Sequence, residues 1–156
     1  MTSEPHPTPA LEAAALRRRE LREALIAFEE ALSSPIRDRV TWRAEVADAF
    51  EALGHAFEDH VAATEASGGL YDEMREKAPH LRVKANRLRA EHPAITTALV
   101  EASARLAAPP ADETDADAIR DELQRLMGEI LRHRQHGADL VWDAYAIDIG
   151  DLGDAG

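Results

Sequence analysis

Three histidines, His60, His92 and His133, stand on the apolar seams of three different predicted helices. An imidazole withdrawn from water is driven toward its neutral form, and the neutral ring is the form that binds a metal ion. Its second nitrogen then needs a partner, ordinarily a carboxylate, a carbonyl or water. Carboxylates are close in sequence: Glu65 just past the turn carrying His60, Glu91 beside His92, Glu129 one turn before His133, and Asp139 after it, with His136 flanking the same face. The chain has no cysteine, which excludes disulfides, thiolate zinc sites and iron–sulfur clusters. Any metal must therefore be held by histidine and carboxylate.

The elements that must position these rings are legible from periodicity. Thr8 followed by Pro9 reads as an N-cap with proline at the first helical position. The first helix runs to about Leu32, with Leu21, Leu25, Phe28 and Leu32 on one face, and Ser33, Ser34 and Pro35 are expected to close it and cap the next. In the second, Val46, Phe50, Leu53, Phe57, His60 and Thr64 alternate in steps of 4 and 3, extended by Trp42, until Ser67, Gly68 and Gly69 break the pattern. Leu70 to Ala78 predicts two further turns of helix before Pro79.

Helix three carries Leu81, Ala85, Leu88, His92, Ile95, Leu99, Ala102 and Leu106, with Pro93 inside it, which lacks an amide donor and clashes with the Arg89 carbonyl, predicting a kink beside His92. After an acidic linker from Pro109 to Asp115, Thr114 with Asp117 reads as a capping-box variant. The fourth helix continues through Ile119, Leu123, Leu126, Ile130, His133, Gly137, Leu140 and Ala144. At about 1.5 Å per residue, His92 lies about 22 Å from the end of helix three and His133 about 27 Å from the start of helix four, which allows a common level.

The expected architecture is all-α, an up-down-up-down four-helix bundle over residues 9–150, with flexible tails at 1–8 and 151–156. An aromatic content of only 4% fits long helices better than sandwiches or barrels. Trp42, Trp142 and Tyr145 are expected to pack at the bundle ends. Arg17, Arg18 and Arg19 are followed by Glu20 and Glu23 and read as a solvated face. A formal charge of −12 argues against nucleic acid or an anionic bilayer as partner, since both need a positive footprint. The acidic, proline-containing start does not read as a signal peptide, and no stretch approaches membrane-spanning length, so a cytoplasmic location is expected.

The chain resembles the hemerythrin-like family, also called the HHE cation-binding domain. The likeness covers about residues 20–150 and rests on His60 with Glu65 and GGLYDEM (Gly68 to Met74), on RAEHPAI (Arg89 to Ile95), and on LRHRQHGADLVWDAYAIDIG (Leu131 to Gly150). It implies a four-helix bundle that would hold a non-haem iron pair and bind oxygen or a related small molecule. Of the ligand set it implies, His60, His92 and His133 match. Ala24 stands about where a first-helix histidine is expected, Thr64 where a glutamate is, Leu88 and Thr96 where a paired histidine is, and Ala138 where an acid is. A complete di-iron site is therefore not expected. What remains is three imidazoles with Glu65, His136 or Asp139 in reserve, a set suited to one iron or zinc ion.

Two functions follow from different premises. One is a metal-binding or sensing bundle with a mononuclear or degenerate site, its cofactor non-haem iron or zinc. The other is a metal-free helical module that keeps only the fold and presents a surface to a protein partner. Catalysis is not expected: there is no phosphate-binding glycine loop, no thiol, and no serine placed with a base, since Ser33, Ser34, Ser67 and Ser103 lie at helix ends or among small residues.

Overall fold

The computed structural model describes residues 6–151, with side chains as far as Tyr145. Residues 1–5 of the expected N-terminal tail, and residues 152–156 of the C-terminal one, lie outside the described residues. Four long helices, α1 (Pro9–Ser33), α2 (Arg39–Glu65), α4 (Arg82–Ala107) and α5 (Asp115–Asp151), are joined by one short helix, α3 (Leu70–Lys77), and a 3-10 turn at Pro79–Leu81. No strand occurs among the described residues. None of the helices is long and apolar enough to cross a membrane.

The long helices close into a bundle because each buries one stripe: α1 packs on α2, α2 on α4, α4 on α5, and α5 back on α1. The seam residues read from the 4-and-3 spacing are the buried ones, from Leu21, Leu25, Phe28 and Leu32 to Ile119, Leu123, Leu126 and Ile130. The interior divides in two. One core, containing Phe28, Phe50, Leu53, Ile95 and Ile130, fills the half away from α3. A second gathers Leu70, Tyr71, Met74, Leu81, Leu88 and Leu140 around α3. Phe57 belongs to the first core, and its ring lies 5.8 Å from His60, 5.8 Å from His92 and 6.0 Å from His133, so the histidines sit where that core ends.

Several boundaries depart from the sequence expectation. Ser33 and Ser34 turn back onto α1, donating to the carbonyls of Glu29 at 2.7 Å and Glu30 at 2.8 Å. They leave the capping of α2 to Asp38, whose carboxylate accepts from the amides of Val40 and Thr41. Thr114 donates to Asp112 rather than entering a box with Asp117. As expected, by contrast, α4 runs through Pro93 as one helix. The proline is exposed, as is Arg89, so the carbonyl it deprives can turn to water. Trp42 is buried under the Arg120 guanidinium, 5.2 Å above its ring, but Trp142 is 72% exposed and packs no bundle end.

Thr8 caps α1 as expected and is also tied down, its hydroxyl donating to Glu73 of α3 at 2.7 Å while accepting from the Leu11 amide. The Gly68–Gly69 turn sets where α3 lies. Gly68 has φ +72°, a conformation that side chains with a Cβ avoid. A Cβ on Gly69 would meet the carbonyls of Ala63 and Ala66 at 2.8 Å. α3 is thereby folded back against the end of α2, with acidic Asp72 and Glu73 in its first turn and basic Arg75 and Lys77 in its last, matching its dipole.

Candidate metal centre

His60 on α2, His92 on α4 and His133 on α5 converge. Their relative exposures are 6%, 2% and 2%, so all three are withdrawn from water. His133 Nε2 stands 3.1 Å from His92 Nε2 and 3.3 Å from His60 Nε2, and one ring nitrogen from each of the three lies within 4.8 Å of the others. Three helices converge here because each seam repeats at 3.6 residues, while the turn at Gly68–Gly69 and α3 take up the length between α2 and α4.

The outer nitrogens define the tautomers. His133 Nδ1 lies 2.7 Å from Glu91 Oε2, and His92 Nδ1 lies 3.2 Å from Glu65 Oε1. A carboxylate offers only acceptors, so both Nδ1 atoms carry the proton and donate. Burial holds each ring neutral, lowering the pKa of His92 and of His133 against the opposing pull of Glu65 and Glu91. The lone pairs are therefore on Nε2 and face the cluster. His60, buried and beside the other two rings, is lowered to about 3, and its Nδ1 has no hydrogen-bond partner.

Of the other expected ligands, Glu65 reaches the centre only from behind, at the outer nitrogen of His92, where Arg89 also holds it at 3.2 Å. Its position one residue past Thr64 on α2 points it toward α4, and it does not join the three-histidine group. His136 is 59% exposed and meets Glu91 at 3.5 Å. Asp139 is exposed and accepts from Gln135 at 2.9 Å. Neither joins the cluster, because the seam of α5 passes through His133, Gly137 and Leu140 and turns residues 136 and 139 away from it. Glu91, noted only for its place beside His92, serves His133 across the helix interface. Glu129 is exposed.

Sequence reasoning missed three neighbours. Tyr71 is buried, with its hydroxyl 3.4 Å from His92 Nε2, and burial pushes its pKa up. The hydrophobic stripe of α3, Leu70, Tyr71 and Met74, was the available signal. Arg18 is not on a solvated face: its Nε is buried, and it lines a small cavity of about 20 Å³ with His60, Thr64, Tyr71, His133 and Arg134. Arg134 has its pKa lowered by burial and by the nearby charges of Arg18 and Arg22. The cavity has room for about one water.

What the arrangement can do is hold a cation. The neutral rings of His92 and His133 turn their lone pairs to one point, oriented from behind by carboxylates as ligating histidines ordinarily are, and His60 Nε2 faces the same point. Ala24 is half-buried on α1, so that helix offers no fourth ring. Among the described residues, His60, His92 and His133 form the one such group. No protein-family model, curated protein or solved structure matches the chain, which leaves the hemerythrin-like resemblance resting on the residues that suggested it.

Proposed function

We propose that this protein binds one transition-metal ion, zinc or non-haem iron, between the Nε2 atoms of His60, His92 and His133, and works as a binding or sensing protein. The bundle that holds the ion runs up-down-up-down in the hemerythrin-like manner, an arrangement supported by the short links at 34–38 and 108–114.

The observation that carries the reading is the 3.1 Å approach of His92 Nε2 to His133 Nε2. Both nitrogens bear lone pairs, since both rings give their single proton to a carboxylate on the other side. Two bare acceptors at that distance repel unless a cation lies between them. The rival, a metal-free interaction module, accounts for the other contacts: His60 Nε2–H can donate to His133, and the Tyr71 hydroxyl to His92. It leaves the shortest one to a protonated His133, which burial opposes.

The reading assigns binding rather than catalysis. The hydroxyls of Ser33 and Ser34 are spent on main-chain carbonyls. Elemental analysis of the purified chain, then unfolding with added zinc or iron and with chelator, tests it. An ion held at one hundred times its Kd stabilises by about 2.7 kcal/mol and raises Tm by roughly 5–10 °C. His92→Ala and His133→Ala should abolish that rise. A metal-free chain that refuses both ions and unfolds identically with chelator refutes the proposal and favours the interaction module.

A further inference from the structure

Three imidazoles leave a small ion with an incomplete set, and no carboxylate is available to finish it from inside. Glu65 and Glu91 are both engaged at outer nitrogens. The side chain that does reach the inner face is Tyr71. It is 4% exposed, and its hydroxyl lies 3.4 Å from His92 Nε2. The hydroxyl also lies beside Thr64, whose own proton goes to the His60 carbonyl at 2.9 Å.

Three of the distances match the edge of one polyhedron, and the three ring nitrogens all lie within 4.8 Å of one another. A tetrahedral ion with bonds of about 2.0–2.1 Å spaces its ligands about 3.3 Å apart. His92 to His133 is 3.1 Å, His60 to His133 is 3.3 Å and Tyr71 to His92 is 3.4 Å. α3 serves this placement, since the Gly68–Gly69 turn leaves no room for a side chain at Gly69 and brings Tyr71 beneath the rings.

We propose that Tyr71 is the fourth ligand, its phenolate oxygen completing a three-imidazole, one-phenolate set that takes ferric iron in preference to zinc. The inference rests on the metal reading above and extends it. A phenolate is a hard, anionic donor, and tyrosine is an established ligand of ferric centres. As the O–Fe bond forms, the Tyr71 O–H bond breaks and its proton leaves to solvent. Iron enters as Fe(III), so no electron is transferred.

The chain contains only two tyrosines, Tyr71 and Tyr145, which makes the test clean. The full metal-free chain is treated with ferric nitrilotriacetate and desalted. Bound iron is then counted by elemental analysis, and visible absorption and resonance Raman spectra are recorded. We expect about one iron per chain, a visible phenolate-to-iron charge-transfer band, and enhanced tyrosine ring modes. Tyr145→Phe should keep the band, assigning it to Tyr71 even where Tyr71→Phe folds poorly. Where Tyr71→Phe folds, it should lose the band and bind ferric iron at least about tenfold more weakly, with zinc affinity changed by no more than about threefold. Iron bound without the band, or a band lost in Tyr145→Phe, overturns the role of Tyr71 and leaves the three-histidine site standing. Absence of both iron and zinc binding overturns both.

Discussion

His60 should make the metal-free protein acid-sensitive in a way that one substitution removes. Its ring is buried beside two others, and its pKa is lowered to about 3 from an ordinary 6.5. Between those values the unfolded chain carries a proton that the folded chain excludes, so stability is complete above the unfolded pKa and is lost as pH falls through that window. Each unit corresponds to about 1.36 kcal/mol, so by pH of about 5 the loss from this ring is about 2 kcal/mol, or roughly 4–8 °C in Tm. Carboxylates titrate near the same pH, and a chain at −12 gains from shedding repulsion, so the wild-type slope alone does not isolate the effect. The difference from His60→Leu does, because leucine fills similar space and takes up no proton. The assay is urea unfolding of chelator-treated wild type and variant at pH of about 7 and about 5. Wild type should lose about 2 kcal/mol more than the variant between the two conditions. Equal losses, with unchanged m-values, would show that this ring is not held neutral in a dry interior, and His60 would drop out of the proposed ligand set.

The remaining predictions concern the frame that holds the rings. Arg43 donates to the carbonyls of Leu106, Arg105 and Ala108 at 2.7–3.0 Å and pairs with Asp115 at 3.0 Å, closing the end of α4 onto the start of α5. Arg43→Met should cost about 1–3 kcal/mol in guanidinium unfolding, and an unchanged midpoint would mean water replaces these bonds without loss. Gly69→Ala should destabilise by about 1–3 kcal/mol, since its Cβ meets two main-chain carbonyls. It should also weaken metal retention by displacing α3, as read by elemental analysis after desalting. Gly54→Ala, inside α2 with nothing within 4 Å of the new Cβ, should instead stabilise by about 0.5–1 kcal/mol. Loss of stability at Gly54 would show that the substitution is not governed by helix propensity there.

Much of the frame was legible because helical periodicity is a local property. A seam such as Val46, Phe50, Leu53, Phe57, His60 and Thr64 follows from 3.6 residues per turn and the cost of wetting apolar surface, and every one of those positions is buried. The same arithmetic placed His92 and His133 inside. Boundaries were less legible, because Ser33, Ser34 and Asp38 can all cap a helix, and the choice depends on which carbonyls and amides come within reach.

The composition and spacing of this chain by themselves determined four long amphipathic helices, a cysteine-free interior and three histidines facing into it, since each depends only on residue type and position along one rod. The level at which the rods meet was decided by tertiary structure, because a turn at Gly68–Gly69 and a short helix consume length that no seam records. So were the partners. Glu65 and Glu91 each serve a histidine on the following long helix rather than the one nearest in sequence, as contacts between helices, unlike those within one, are set by packing. For the same reason Arg18 turned inward, Trp142 turned out, and Tyr71, unremarked on a short stripe, came to rest against the one inner nitrogen that His133 and a carboxylate had already oriented.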